Sequence, residues 1–250
     1  MKFWFLLFAI DLVCIVILKA VGLSYWQTLL SIVIAEIVLY IIYVILHSMR
    51  LRHLLDEKCD PVEYLNRMQK QKQRIKRKPK LVAFTSINVA VGYMLLGDYA
   101  TAKSILSEID QKYLSDKNGT LLVYTIDTIL CCYELGQHEE ANRLYETQLP
   151  VLAPMSKRLK KSLQILVGER YYYLGQYEEC KKHLSSILDI ELTTRQQLGI
   201  LYLLAKVEIL QGNYERAAKR LKKVAKFGNK LWIAAEADRL LQQKEFEAYR

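Results

Sequence analysis

One short phrase occurs four times in this sequence at an almost constant spacing. Each copy has a glycine, an aromatic or imidazole ring two residues later, and a small residue three positions after the ring. The copies are Gly97, Tyr99 and Ala102; Gly136, His138 and Ala141; Gly175, Tyr177 and Cys180; and Gly212, Tyr214 and Ala217. The glycines are 39, 39 and 37 residues apart. A period in this range indicates stacked supersecondary units, so the repeat predicts an α-solenoid.

Apolar residues at helical spacing stand on both sides of each glycine, which predicts two helices per copy. In the fourth copy, Leu201 and Leu204 precede Gly212, and Leu221 and Val224 follow it. We expect the glycine to end the first helix in a left-handed conformation. The ring should then pack into the bend, and the small residue should let the two helices approach closely. The predicted fold class is all-α.

The Gly-x-Tyr-x-x-Ala core resembles the tetratricopeptide repeat, and the resemblance covers residues 83–229. It implies four helical hairpins over 81–229 and a capping helix over 230–250. Two features depart from the family: the period exceeds its usual length of about 34 residues, and its early aromatic residue in the first helix is missing. The whole chain resembles uncharacterised two-span membrane proteins of bacteria that carry such repeats, and that resemblance implies no reaction.

The resemblance also implies where a partner would bind. In this family ligands usually lie on the concave face built from the first helix of each repeat, and such a groove suits an amphipathic helix or an extended peptide. Aligned on the glycines, the candidate groove residues are Phe84, Ile87, Val91, Tyr133, Tyr172, Tyr173, Tyr202 and Lys206. The family's clamp for a C-terminal carboxylate is not found at the matching positions. The alternative is that these tyrosines pack between repeats.

Two apolar runs at the start of the chain predict a transmembrane hairpin over residues 1–47. The runs cover about 3–20 and 26–47, and a run of about 20 apolar residues crosses a membrane as a helix. A cleaved signal peptide is the alternative for the first run. Basic residues follow the second run, so the positive-inside rule places both termini in the cytoplasm. The predicted location is the bacterial inner membrane.

Each predicted span carries one acid near its centre. Asp11 and Glu36 lie at similar depths of the hairpin, and Tyr40 follows Glu36 by one helical turn. An acid at the bilayer centre costs roughly 2.5–3.5 kcal/mol on insertion scales, so both should turn away from lipid. Three roles stay open: hydrogen bonding within the hairpin, docking of a basic residue from a partner's membrane helix, or a relay of protons or cations.

Most of the net charge of +10 is confined to the segment after the spans. Residues 48–82 hold eleven Lys and Arg against four Asp and Glu. The sequence Asp60-Pro61-Val62-Glu63 predicts the start of a juxtamembrane helix within 48–80, which Pro79 should end. Its candidate lipid-facing residues are Arg67, Lys70, Arg74, Arg77 and Lys78. Anionic lipid is the favoured partner, with enforcement of topology and an acidic macromolecule as alternatives.

No pattern of residues predicts an enzyme. The five cysteines form no Cys-x-x-Cys pair and have no histidine at metal-ligand spacing, so they are expected to be structural, and neither a metal nor a cofactor is predicted. No nucleophile with a base and no phosphate-binding loop can be recognised. The sequence therefore predicts a membrane-anchored scaffold that recruits a protein or peptide, with no nucleic acid. The alternative is an accessory subunit of a membrane complex that docks through Asp11 and Glu36.

Overall fold

The computed structural model describes residues 22, 24–154 and 156–249, and every regular element within them is helical. The chain divides into two compact units, residues 1–52 and 53–250. The all-α prediction is confirmed for the described residues. The segment 3–20, expected to form the first span, and Asp11 lie outside them.

The first unit contains the helix α1, Tyr25–Arg52. Its apolar side chains are exposed along its length, among them Ile34, Ile41 and Ile45 at about half of their surface. Counted together with the π-helical turn His53–Glu57 that follows, α1 is the one helix in the described part that is long and apolar enough to cross a membrane. α1 meets this criterion by its length and its composition.

The second unit begins with the π-helical turn and the helix α2, Pro61–Arg74. The predicted cap is present, because the Asp60 side chain accepts a hydrogen bond from the Glu63 backbone N–H at 3.0 Å. α2 ends at Arg74, four residues earlier than we expected. Pro79 is instead the first residue of the next helix. Proline is tolerated there because a backbone N–H at this position would have no acceptor within the helix.

Four helical hairpins follow, one at each copy of the repeated phrase. Their helices are α3 (Pro79–Leu95) and α4 (Tyr99–Ser107); α5 (Thr120–Glu134) and α6 (His138–Thr147); α7 (Lys157–Tyr173) and α8 (Tyr177–Leu188); and α9 (Thr194–Leu210) and α10 (Tyr214–Phe227). The turn glycines Gly97, Gly136, Gly175 and Gly212 have φ of 83°, 72°, 73° and 74°. The left-handed helix ends are therefore confirmed.

The small residues of the phrase lie where the two helices of a hairpin meet. Ala102, Ala141, Cys180 and Ala217 are all fully buried. Each first helix also contacts the first helix of the next hairpin, so α3, α5, α7 and α9 stand side by side. This stacking is solenoid-like, and the buried apolar residues of the described chain form four clusters along it. Cys59, Cys131, Cys132 and Cys180, the cysteines within the described residues, are buried free thiols.

The C-terminal segment packs on the fourth hairpin. It consists of the helix α11, Trp232–Leu241, and a 3-10 turn, Lys244–Tyr249, so regular helix covers half of the range predicted for a capping helix. The Phe246 ring is fully buried and meets the Tyr214 ring edge to face at 5.6 Å. Trp232 also contacts Tyr99 of the first hairpin, with ring centroids 6.2 Å apart.

Candidate functional site

The residues between α1 and α2 bind to the far end of the hairpin stack. We call residues 53–60 the strap. The Lys230 backbone N–H donates to the Cys59 carbonyl at 3.2 Å, and the Asn229 side-chain amide donates to the Lys58 carbonyl at 2.8 Å. Since Asn229 and Lys230 follow α10, the strap is attached to the fourth hairpin, although α2 packs on α3 of the first. The chain thus bridges both ends of the stack.

Cys59 of the strap extends this attachment into the core. Cys59 has no exposed surface and belongs to the same apolar cluster as Leu198, Leu201 and Leu231. Burial raises the pKa of the Cys59 thiol to about 11. A thiol held in its neutral form behaves as a small apolar side chain, which agrees with the structural role expected for the cysteines.

A buried carboxylate in the strap forms the main electrostatic contact. Asp56, whose side chain is 7% exposed, binds two arginines: Arg158 Nη2 lies 3.1 Å from Oδ2, and Arg195 Nη2 lies 2.9 Å from Oδ1. Arg195 Nε also donates to Oδ1 at 3.0 Å. Next to it, the Thr194 hydroxyl donates to the Glu57 carboxylate at 2.6 Å. The strap therefore joins the first turns of α7 and α9.

Two further carboxyl groups each have a buried oxygen atom without a partner. Asp127 on α5 is 8% exposed, and its Oδ2 has no hydrogen-bond partner in the described part of the chain; the same holds for the buried Oε2 of Glu169 on α7. Burial raises the pKa of Asp127 to about 7, opposed by Arg195. Burial and then the nearby Glu134 raise the pKa of Glu169 to about 8. Both groups hold protons over part of the neutral pH range.

The five predicted groove residues on α5, α7 and α9 form one chain of ring contacts. Tyr133 stacks on Tyr173 with centroids 4.6 Å apart, and Tyr173 meets Tyr172 edge to face at 5.3 Å. Lys206 Nζ then lies 4.6 Å from the Tyr172 ring centre and 5.7 Å from that of Tyr202. We call these five residues the tyrosine chain. It connects the second, third and fourth hairpins.

Burial differs strongly among the groove candidates. Tyr133 and Tyr202 are buried, Tyr172, Tyr173, Lys206 and Val91 are half-buried, and Ile87 is buried in the cluster of the first hairpin. Phe84 stands apart because 48% of its surface is exposed. Tyr133 is covered by Tyr173 of the next hairpin, and Tyr202 packs within the fourth hairpin and against Trp232 of α11. For these two tyrosines the structure thus favours packing, the alternative that the sequence left open. Phe84 is the apolar member of the set that offers a partner the most surface.

The other predicted positions are exposed. On α2, Arg67 forms an ion pair with Glu63 at 2.7 Å, whereas Lys70 and Arg74 are exposed. Arg77 and Lys78 are exposed too, but they lie in the turn after α2 and not on the helix that was predicted to carry them. Glu36 and Tyr40 lie on the exposed surface of α1. These placements leave the proposed roles of both groups as predictions.

Sequence reasoning did not find the residues that hold the strap. Asp56 lies 102 positions from Arg158 and 139 from Arg195, so no local motif connects them. The described residues contain no group of three or more His, Cys, Asp or Glu side chains that could hold a metal ion. Comparison with protein-family models, with curated proteins and with solved structures returned no match.

Proposed function

We propose that this chain is a membrane-anchored scaffold of the tetratricopeptide type, which recruits a protein or peptide to the cytoplasmic face of a bacterial membrane. The observation that carries the proposal is the direct connection of an exposed apolar helix, α1, to a stack of helical hairpins through the strap. Stacks of this kind present side chains from successive first helices to a ligand. The hairpins supply that surface, and α1 supplies the attachment.

Membrane attachment through α1 is supported by its side chains and its flank. Its apolar residues are exposed on all sides, which suits lipid and not water. Arg50 and Arg52 stand in its last turn, and basic residues prefer the cytoplasmic end of a span. A second span over residues 3–20 completes the proposed two-span anchor, with both termini in the cytoplasm.

The partner is proposed to be an amphipathic helix or an extended peptide that contacts α3. Phe84 supplies an exposed aromatic ring there, and aromatic anchors contribute strongly to protein recognition. The half-buried members of the tyrosine chain, on α7 and α9, add polar groups to the surface of the first helices. Because their rings already contact one another, the surface is preorganised and little freedom is lost on binding.

Photocrosslinking in intact cells tests this proposal. A photoreactive residue in place of Phe84 in the full chain should capture one recurrent protein, and Phe84→Ala should reduce co-purification of that protein at least about five-fold. Leu210→Ala is the matched control, because Leu210 is 56% exposed on α9 of the fourth hairpin. Equal capture from both positions would contradict a specific partner surface on α3.

The second candidate function is an accessory subunit of a membrane complex, such as a transporter, a secretion machine or a protease. It is favoured by the polar side chains on the exposed surface of α1, since Glu36 and Tyr40 would otherwise face lipid. Here Asp11→Asn combined with Glu36→Gln should abolish co-purification of a membrane partner while leaving the hairpin stack folded. Unchanged co-purification would exclude this candidate.

A further inference from the structure

The outer surface of α10 carries a continuous row of positive charge. Its inner side packs Ala217, Leu221 and Val224 into the core, and each of these residues is fully buried. On the opposite side the exposed residues are Arg216, Lys219, Lys222, Lys223 and Lys226. We call these five residues the basic face. Helical spacing places them on one side of α10, away from the core.

Little of this charge is neutralised by the protein itself. Lys219 pairs with Glu215 at 2.6 Å, and Arg220 turns inward to the buried Glu208 at 2.9 Å. The other four members of the basic face have no ion pair with any described residue. Glu215 is the one acid between Tyr214 and Lys230. An anionic surface would therefore meet several unpaired cations at once.

The C-terminal end of α10 lies beside the strap. Asn229 and Lys230 donate hydrogen bonds to the strap carbonyls of Lys58 and Cys59, as described above. In addition, Lys230 Nζ forms an ion pair with Asp60, the cap of α2, at 2.6 Å. Lys58, exposed next to them, follows Arg52 at the end of α1 by six residues. The basic face thus ends at the part of the second unit that is closest in sequence to the apolar helix, and the basic helix α2 starts there too.

An exposed aromatic residue marks the same end. Phe227 is 54% exposed, and Lys226 Nζ lies 5.2 Å from its ring centre. Basic side chains beside an exposed aromatic ring are typical of elements that lie in a membrane interface, where the ring enters the headgroup region. Binding of single-stranded nucleic acid uses several aromatic rings interleaved with basic residues, and the basic face has one ring at one end.

We propose that the basic face and Phe227 dock on the anionic lipid headgroups of the membrane in which α1 is anchored. This inference rests on the proposed membrane anchoring and adds a second, reversible contact to it. Each exposed Lys or Arg gains attraction from a negatively charged leaflet within about one Debye length. Docking of α10 gives the hairpin stack a direct contact with lipid besides its covalent connection to α1.

Lipid crosslinking of the full chain in nanodiscs tests this contact. p-Benzoylphenylalanine replaces Phe227, or Val151 as the control position, which is 78% exposed in the connector between α6 and α7. The nanodiscs contain phosphatidylcholine with or without phosphatidylglycerol. We expect at least about five-fold more lipid adduct at position 227 than at position 151 when phosphatidylglycerol is present.

Two charge variants make the test specific. The combination K222E, K223E and K226E should lower the adduct at position 227 about five-fold, to the level without phosphatidylglycerol. The combination K117E, K182E and K244E changes the net charge equally at exposed positions on other elements and should leave the adduct unchanged. Equal effects of both combinations would overturn the proposal, since they would indicate a response to net charge.

The remaining outcomes separate this inference from the proposed function. Equal adducts at positions 227 and 151 in an integral membrane protein would overturn the docking of α10 and leave the anchoring intact. Crosslinks from position 227 to RNA or to an acidic protein in whole cell membranes would overturn the proposal, because they would identify that molecule and not lipid as the ligand of the basic face. Release of the chain from membranes at alkaline pH would contradict the anchoring itself.

Discussion

At the residue scale, three buried carboxyl groups of the hairpin stack are stabilised in different ways. Asp56 lies between two arginines, Arg158 and Arg195. Glu208 is fully buried and has one such partner, Arg220, while its Oε1 has no hydrogen bond within the described residues. Asp127 has no ion pair there, and its pKa rises to about 7 because burial disfavours the charge. The three acids thus differ in the number of arginine side chains that pair with them.

Asp127 should make stability depend on pH. The unfolded side chain loses its proton near its ordinary pKa of 3.8, whereas the folded one keeps it until about pH 7. The folded state therefore binds more protons in this range, and the free energy of unfolding falls as pH rises from about 4 to about 7. Asp127→Asn cannot ionise and should reduce the loss between pH 5 and pH 8 by about 2 kcal/mol.

Denaturant titration of the full chain in detergent at both pH values measures this change. Asp116→Asn is the matched control, because Asp116 is exposed in the connector before α5. Equal pH dependence in the wild type and in Asp127→Asn would show that Asp127 is ionised in the folded protein.

Removing the partner of Glu208 should be costly. Arg220→Ala leaves a fully buried carboxylate without its cation, so we expect a loss of about 3 kcal/mol in the free energy of unfolding. Replacing both residues, Glu208→Leu with Arg220→Leu, removes both charges and should cost about 1 kcal/mol or less. Denaturant unfolding of both variants measures the two losses. A larger loss of unfolding free energy in the double variant than in Arg220→Ala would contradict this prediction.

At the element scale, the glycines of the repeated phrase determine where each hairpin turns. Gly136 and Gly175 have φ above 70°, and a Cβ atom at either position would meet no atom within 4 Å. Gly97 is different, because a Cβ there would lie 3.2 Å from the Trp232 side chain. Backbone conformation alone thus requires glycine in the middle turns, and contact with α11 adds a second reason in the first.

Two glycine substitutions should have opposite effects. Gly136→Ala should destabilise the protein by about 1 kcal/mol, since alanine resists a left-handed conformation. Gly199 lies inside α9 with open space at its Cβ position, so Gly199→Ala should stabilise by about 0.5–1 kcal/mol. Thermal unfolding of both variants measures the difference. Equal shifts in Tm would contradict a conformational role for the turn glycine.

At the scale of the whole second unit, the strap and Trp232 connect hairpins that are distant in the sequence. The strap joins the segment leaving α1 to α7, α9 and the end of α10, and Trp232 joins α11 to the first hairpin. In a repeat stack each unit otherwise contacts only its neighbours. These contacts should make the stack unfold as one body, with the strap included.

Asp56→Ala should release the strap. The variant loses its ion pairs with Arg158 and Arg195, and we expect a loss of about 3 kcal/mol in the free energy of unfolding. Hydrogen exchange should accelerate in residues 53–60 and at the start of α9. Glu57→Ala removes one exposed hydrogen bond, to Thr194, and should change exchange much less. Equal acceleration in both variants would contradict a dominant role of Asp56.

The sequence by itself determined where the hairpins turn and where α2 begins, while the tertiary structure decided which side chains are buried and which residues distant in the sequence are joined. Gly97, Gly136, Gly175 and Gly212 could be recognised because a left-handed turn and a small interhelical residue are local requirements that recur at each copy. The cap at Asp60 was predictable because it also depends on neighbouring residues only, Asp60 to Glu63. The burial of Tyr133 and the ion pair between Arg195 and Asp56 could not be predicted, because they depend on contacts between residues far apart along the chain. A periodic sequence specifies each hairpin and its neighbour, and a strap that crosses the whole stack leaves no periodic signal.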